Sequence, residues 1–276
     1  MSAQTTKTTT PVEHANAVRF RRSNTAFETG DVATLHELWS PDITWIEGGN
    51  TPLAGTHRGF DNVLSTLTDG IGMLDAFAMT LEEVYADDDM SVGLYTMAFT
   101  KGGRTAITRA ALAAQIVDGR ATTVNAVNMN QAAVDAVMGG TVALPEQGQS
   151  TEHVNAVRNR QAFEAFQAGD ISGLHAFWSD DIVWTEHGNN RFAGTHRGFD
   201  ATMAMIGEVG TAIGPDWSLR LDGVAADDDC SIARFTGYYS KNVIDSFVMV
   251  SYLDKGKATR VHVINANQAA LDAILG

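Results

Sequence analysis

The chain carries the stretch DITWIEGGNTPLAGTHRGFD at residues 42–61 and repeats it as DIVWTEHGNNRFAGTHRGFD at residues 181–200, a constant offset of 139 residues. A second match, VNAVNMNQAAVDAVMG at 124–139 and VHVINANQAALDAILG at 261–276, ends each copy. Solenoid repeats have periods of roughly 20–50 residues, because one unit cannot bury its own core. The period here is far longer, so each copy is predicted to be a domain in its own right.

The repeat divides the 276 residues into two domains of about 125 residues each, an ordinary domain size. We predict four segments: a disordered tail over residues 1–11, a first domain over 12–139, a linker over 140–151 and a second domain over 152–276.

The composition excludes several classes of partner. The chain has 19 Lys and Arg residues against 33 Asp and Glu residues, a net charge of −14, so a nucleic-acid partner is not expected. No apolar run reaches the roughly 18 residues of a membrane span, so no membrane partner is expected either. The start, MSAQTTKTTTP, lacks the apolar core of a signal peptide, and we expect a cytoplasmic protein. Cys230 is the single cysteine, which argues against an intrachain disulfide or a thiolate metal cluster.

Each copy has the pattern of helices first and strands afterwards. A helical stretch ends at a Gly-Asp pair, residues 30–31 and 169–170, where Gly suits a helix C-cap and Asp the N-cap of a second, short helix. A short strand follows, and a threonine is predicted to cap a third helix that begins at about His57 and His196. The remainder alternates weakly as strands and closes with a short helix. This order predicts an α+β fold with the helices on one face of a curved antiparallel sheet.

The motifs D-I-x-W-x-E and A-G-T-H-R-G-F-D, in this order of elements, resemble the SnoaL-like branch of the nuclear transport factor two-like superfamily, which includes ketosteroid isomerases. The resemblance covers both copies. It implies two tandem cystatin-like cones, each a bent sheet wrapped by helices around an apolar pocket. Such proteins pair through the outer face of the sheet, which implies an intramolecular pseudo-dimer here, and the whole chain can pair again as a homodimer. The pocket implies a hydrophobic small molecule as the partner, and no cofactor.

Glu47 and Glu186 are the first catalytic candidates. Each ends an apolar strand and follows a tryptophan, Trp45 or Trp184, that is predicted to contact substrate. Desolvation in such a place raises the pKa of a carboxyl toward neutrality, which suits a general acid or base. The resemblance places the catalytic aspartate of ketosteroid isomerase-like proteins at this position. The alternative is a solvated strand end, or a carboxylate paired with a nearby arginine.

Two His-Arg pairs, His57-Arg58 and His196-Arg197, stand at the predicted start of the third helix. A cation is mildly unfavourable at a helix N-terminus, so a carboxylate is expected to hold each arginine. The strand glutamate is one candidate, and the aspartate three positions after the arginine is another. We predict substrate contacts for Arg58, Arg197 and His57 and a catalytic place for His196, with a structural role as the alternative for all four.

Asn128 and Asn265 end the last strand of each copy. In the proteins that the sequence resembles, alternate side chains of this strand point into the pocket. This pattern implies that the two asparagines face the pocket and that Asn125 and His262 face the other copy. Asn cannot act as a base, but it can orient a water molecule or hold a carbonyl oxygen. The alternative is a polar strand end that enters the last helix.

The second copy is the more polar one near the predicted pocket. His187 follows Glu186 where the first copy has Gly48, and Tyr238 stands where the first copy has Ala98. A histidine beside a carboxylate can be a second proton carrier near neutral pH, so His187 is a catalytic candidate and Tyr238 a substrate contact. An exposed loop position is the alternative for His187. No metal-ligand spacing is visible, and no metal site is predicted.

We hypothesise a cofactor-free enzyme that performs proton-transfer chemistry of the cyclase, isomerase or epoxide-opening kind on a hydrophobic small molecule, a chemistry that fits secondary metabolism. Steroid isomerisation is not expected, because the resemblance places Ser23 and Ala162 where those isomerases have a tyrosine. The alternatives are a non-catalytic binding protein for an apolar ligand and a dimerisation or assembly module. An enzyme predicts buried glutamates in a cavity of at least ~300 Å³. A carrier predicts glutamates turned outward, and an assembly module predicts filled cones with an exposed apolar sheet face.

Overall fold

The computed structural model describes residues 13–139, 152–239 and 243–276, except for the side chains of residues 243 and 244. The predicted tail and linker lie outside the described residues, so the domain boundaries stay predictions. No helix of the described part is both long and apolar enough to cross a membrane.

The two halves contain the same ten elements in the same order. The first half has α1 (Ala15–Thr29), α2 (Val32–Leu38), β1 (Trp39–Glu47), β2 (Gly55–Arg58), α3 (Phe60–Gly72), β3 (Ala76–Ala86), β4 (Met90–Lys101), β5 (Arg104–Val117), β6 (Arg120–Asn128) and α4 (Gln131–Met138). The second half has α5 (Val154–Ala168), α6 (Ile171–Phe177), β7 (Trp178–Glu186), β8 (Gly194–Arg197), α7 (Phe199–Ile213), β9 (Ser218–Ala226), β10 (Cys230–Tyr239), β11 (Val243–Asp254), β12 (Lys257–Asn265) and α8 (Gln268–Leu275).

The Gly-Asp pairs end the first helix of each half, as predicted. Gly30 and Gly169 have φ angles of 70° and 67°, a left-handed conformation that residues other than glycine adopt only with strain. The aspartate after each glycine, Asp31 or Asp170, accepts a hydrogen bond of 3.1 Å from a backbone N–H three residues on. This N-cap starts the second helix, which leads directly into the first strand.

Each half forms one six-stranded sheet, in the order β2-β1-β6-β5-β4-β3 and β8-β7-β12-β11-β10-β9. The α+β class is confirmed, but the sheets are mixed: β1 pairs with β6, and β7 with β12, in parallel, and all other pairs are antiparallel. The parallel register sets Glu47 beside Ala126 and Glu186 beside Val263, so each glutamate lies next to the last strand of its half.

The predicted start of the third helix was wrong. Residues 55–58 and 194–197 form a short edge strand, in which His57 lies opposite Trp45 and His196 opposite Trp184. The helix begins only at Phe60 or Phe199, after a glycine with a φ angle of 83° or 88°. The reason is that the hydrogen bonds along the open edge of the first strand hold this segment extended.

The two sheets pack on each other through their outer faces, which is the predicted pseudo-dimer arrangement within one chain. Arg234 crosses this interface and donates hydrogen bonds to both carboxylate oxygens of Glu83, at 2.8 and 3.0 Å. Helices α1, α3, α5 and α7 contact strands of their own half, so each sheet's inner face is covered by its own helices. One apolar cluster joins side chains of both halves: Tyr85, Met90, Val92, Ala111, Ala113 and Val127 from the first, and Ala225, Cys230, Ile232, Val248, Val250 and Ile264 from the second.

Candidate functional site

Each half encloses a cavity between its sheet and its first and third helices, with a volume of about 100 Å³ in the first half and about 140 Å³ in the second. Both volumes are below the ~300 Å³ that we expected of an enzyme pocket. They are close to the roughly 150 Å³ of an apolar protein cavity that accepts benzene. The walls are mostly apolar: Phe20, Phe27, Trp39, Leu67, Phe77 and Phe99 in the first cavity, and Phe163, Phe166, Trp178, Met205, Trp217 and Phe247 in the second.

Glu47 and Glu186 form part of these walls; Glu47 is buried and Glu186 is partly buried. Each lies two residues after a tryptophan on the same strand, so both side chains point to the same face of the sheet. The indole Nε1 donates to the glutamate Oε2, at 3.3 Å from Trp45 and 3.2 Å from Trp184. Burial raises the pKa of both carboxyls to about 7, and this effect outweighs the tryptophan hydrogen bond, which lowers it. A carboxyl with such a pKa can give or take a proton near neutral pH.

Asn128 and Asn265 also line the cavities, at the end of the last strand. The side-chain amide of each donates to a glutamine three residues on, at 3.1 Å to Gln131 and 3.0 Å to Gln268. These bonds fix the amide nitrogen, and the Oδ1 of Asn128 is buried without a partner among the described residues. The asparagines therefore combine a structural bond to the last helix with a polar place in the cavity wall.

The four residues of the His-Arg pairs lie outside both cavities. The Nε2 atoms of His57 and His196 lie 2.9 and 2.8 Å from the carbonyl oxygens of Leu53 and Phe192, in the preceding loops. Arg58 and Arg197 are exposed. Arg58 lies opposite Thr44, on the face of β1 away from Trp45 and Glu47, and donates to the Thr44 hydroxyl at 3.3 Å. Because side chains alternate along a strand, the predicted arginine–glutamate pair does not form.

His187 also differs from its prediction. It directly follows Glu186, and its side chain lies in the interface between the halves, with Nε2 3.2 Å from Oδ2 of Asp87. Its ring centroid is 6.0 Å from that of His262, which confirms that this face of the last strand is turned away from the cavity. Among the described residues, no three His, Cys, Asp or Glu side chains are grouped to hold a metal ion.

Tyr239, and not Tyr238, lines the second cavity. Tyr238 is 36% exposed and accepts a hydrogen bond from Arg220 at 3.1 Å. The alternation of Phe235, Gly237 and Tyr239 with polar neighbours was the sequence signal for this, and our prediction missed it.

Asp245 was missed as well. It is buried on the neighbouring strand and accepts a hydrogen bond from the backbone N–H of Asn267 at 3.2 Å, and burial raises its pKa to about 6.

Comparison with known proteins gives the family. The SnoaL-like domain matches residues 20–124 and again 159–266. The uncharacterized protein Rv0034 of Mycobacterium tuberculosis is 34% identical over 104 residues, which make up 37% of this chain and 79% of that protein. Bal32a, from a soil-derived mobile gene cassette, is 25% identical and covers 45% of this chain and 95% of its own, with a TM-score of 0.43.

A protein of unknown function with a cystatin-like fold from Xanthomonas campestris is 27% identical, and covers 45% of this chain and 98% of its own with a TM-score of 0.42. Each of these relatives matches about one half of this chain. The two matches of the family pattern together span most of it, one in each structural half. The chain therefore belongs to the SnoaL-like domain family, with two consecutive copies of that domain.

Proposed function

We propose that this protein is an enzyme that catalyses proton transfer on a small apolar molecule, with Glu186 and Glu47 as general acid–base groups. The observation that carries the proposal is a carboxyl in the wall of an apolar cavity, with a pKa of about 7 and with a tryptophan N–H as its one hydrogen-bond partner among the described residues. Burying a carboxyl costs stability, and a binding pocket for an apolar ligand does not need one. Perturbed pKa values of this kind are typical of catalytic sites.

The cavity volumes indicate the size of the part of the substrate that reacts. About 140 Å³ holds one ring of the size of benzene, so the substrate is either a single-ring molecule or a larger one that inserts one ring. The aromatic and aliphatic walls favour a hydrocarbon skeleton over a sugar or a charged metabolite.

The chemistry follows from the carboxyl. In its ionised form the Glu186 carboxylate accepts a proton from a substrate C–H or O–H group, and the resulting acid returns it to another atom of the same molecule. Trp184 holds the carboxylate oxygen in place while the proton moves. Isomerisation, ring closure and epoxide opening all contain such a step. A positioned acid or base contributes a rate factor of about 10²–10⁴.

Two alternatives fit the structure less well. A ligand carrier predicts glutamates turned outward, whereas both face the cavities. An assembly module predicts filled cones and a free apolar sheet face, whereas each cone holds a cavity and the outer sheet faces cover each other.

The test needs no knowledge of the natural substrate. Cyclohexanone, a one-ring ketone, is incubated with the protein in D₂O, and the exchange of its α-hydrogens is followed by NMR. We expect exchange well above the buffer rate with wild type, and the buffer rate with the double variant Glu47→Gln/Glu186→Gln. If cyclohexanone binds but its α-hydrogens exchange equally slowly with wild type and with the double variant, the cavities are binding sites and the enzyme proposal is wrong.

A further inference from the structure

We propose that the second cavity selects ring-shaped apolar ligands that carry an oxygen acceptor, such as a ketone, and that the Tyr239 hydroxyl recognises this oxygen. The proposal rests on the proposed function for placing the ligand in this cavity and names the class of ligand. It also predicts that the two cavities differ in ligand preference, because the first cavity has no such donor at the equivalent position.

The second half makes room for the hydroxyl. A Cβ atom on Gly237 would lie 2.5 Å from the Tyr239 hydroxyl oxygen, so only glycine leaves space for the ring to lie over this position. The acidic turns before the two strands align Gly237 with Met97 and Tyr239 with Phe99. The first half therefore has a methionine where the second half has the space, and a phenyl ring where it has the phenol. The glycine leaves the space, and the tyrosine adds a polar group to the cavity wall.

Among the described residues the Tyr239 hydroxyl makes no hydrogen bond, and it is not one of the fully buried polar atoms, so it is open to the space of the cavity. Burial, together with the nearby Asp245 and Glu186 carboxyls, raises the pKa of Tyr239 far above neutral, so the phenol keeps its proton. A polar group that lies unpaired in an apolar cavity costs free energy, and a ligand oxygen that accepts its hydrogen bond recovers that cost.

The position of the two polar groups fixes how a ligand lies. Glu186 ends β7 and Tyr239 ends β10, with β12 and β11 between them in the sheet. The strand registers align Glu186 with Ala233 of β10, six residues before Tyr239, and the side chains of Glu186 and Tyr239 line the same cavity. The remaining wall is apolar on the side of Phe235 and Phe247. A ring ketone that fills this cavity therefore places its oxygen toward Tyr239 and one of its α-carbons toward Glu186.

The experiment compares cyclohexanone with methylenecyclohexane, which has the same shape but no oxygen acceptor. Binding to each cavity is read separately from ¹³C-methyl methionine NMR, because Met205 and Met249 line the second cavity and Met79 and Met97 the first. In wild type, we expect the ratio of ketone affinity to alkene affinity to be about fivefold higher in the second cavity, the effect of one neutral hydrogen bond.

Substitution then tests the residue. Tyr239→Phe should lower cyclohexanone affinity in the second cavity about fivefold, and should change methylenecyclohexane affinity less than twofold. The matched control is Phe99→Tyr, which adds a hydroxyl where Met97 fills the space and should give no ketone preference. The double variant Met97→Gly/Phe99→Tyr should create that preference in the first cavity.

Three results would overturn the proposal: equal ratios in the two cavities of wild type, an equal loss of both probes in Tyr239→Phe, or no ketone binding at Met205 and Met249. The wild-type comparison needs no variant, so it holds even if a substitution disturbs folding. No proton transfer is measured here. The ketone preference can therefore be absent while the glutamate-dependent exchange is observed, which would overturn only the present proposal. Conversely, the ketone preference can be observed without glutamate-dependent exchange, which would overturn only the proposed function.

Discussion

The two halves share a fold but not a cavity. Both keep the glutamate in the cavity wall, its tryptophan partner and the asparagine at the end of the last strand. They differ in the opposite wall, where the second half has Tyr239 and Gly237. They also differ in the residue type at one equivalent position, which is Thr108 in the first half and Asp245 in the second. The side chain of each accepts a hydrogen bond from the backbone N–H of the asparagine just before the last helix of its half. The shared residues are polar groups of the cavity wall and the tryptophan that contacts the glutamate, whereas the residues that differ change the opposite wall and the start of the last helix.

The interface between the halves is asymmetric as well. His187 reaches across to Asp87, whereas Gly48, at the equivalent position, has no side chain to reach Asp227, and a Cβ there would lie only 2.9 Å from the Cβ of Asp227. Arg234 likewise has Leu94 as its counterpart. The second half therefore supplies the arginine and the histidine of these contacts, and the first half supplies the carboxylates.

The largest expected effect separates the two glutamates. In the D₂O exchange of cyclohexanone, Glu186→Gln should lower the protein-dependent rate by a factor of about 10²–10⁴, because the second cavity has both the base and the hydroxyl donor. Glu47→Gln, which changes the cavity without Tyr239, should lower the rate by no more than about 1%, because a loss of 10²-fold in Glu186→Gln leaves no larger share to the first cavity. Equal losses in the two variants would show that the cavities act alike and would break the comparison.

The next effect is on stability and has the same sign in both halves. Glu47 and Glu186 titrate near pH 7 in the folded protein against an ordinary value of 4.5. Between these values the unfolded chain has lost a proton that the folded protein keeps. The contribution of each of these two glutamates to the free energy of unfolding is therefore fully present below about pH 4.5. It falls by about 3 kcal/mol as the pH rises to 7 and is constant above that.

Glu47→Gln and Glu186→Gln should each remove that loss and raise the free energy of unfolding at pH 8, measured in urea, while changing it little at pH 4.5. Gln keeps an acceptor for the tryptophan N–H, so the packing is retained. Glu13→Gln, in an exposed ion pair with Arg21, is the control and should show no gain. If replacing a glutamate does not raise the free energy of unfolding at pH 8, that glutamate is ionised in the folded protein at little cost. The cavity of its half would then have no general acid–base group of the proposed kind.

A smaller effect tests the asymmetry of the interface. Arg234→Ala removes two hydrogen bonds to Glu83 and one of 2.9 Å to Asp222, and should lower the free energy of unfolding by about 2 kcal/mol. Arg220→Ala, which removes an exposed ion pair to the same Asp222, should cost less than about 1 kcal/mol. Equal, small losses would mean that the apolar cluster alone holds the sheets together.

Much of this could be predicted from sequence because the chain gives each local signal twice. The Gly-Asp pairs, the hairpin turn at Asp118 with a φ angle of 50°, and the glutamate two residues after a tryptophan are all local patterns. Local patterns depend on backbone geometry and alternation, which the sequence displays directly.

The errors came from contacts between distant segments. The strand that holds His57 exists only because an open strand edge lies beside it, and no alternation over four residues shows this. His187 faces Asp87, 100 positions away in the chain, and only the packing of one half on the other sets that contact. Tyr238 was a different kind of error, since the alternation of its neighbours already favoured Tyr239.

The smallest effect should be the same in both halves. Gly30 and Gly169 adopt φ angles near 70°, and a Cβ on either meets no atom within 4 Å, so replacement by alanine tests backbone strain alone. Gly30→Ala and Gly169→Ala should each lower the free energy of unfolding by about 1 kcal/mol, and the double variant by about twice that, since the sites do not touch. Urea unfolding at pH 7 measures this. Unequal losses would mean that the halves differ in the scaffold as well as in their cavities, which would weaken the inference that specialisation is confined to the cavity wall and the interface.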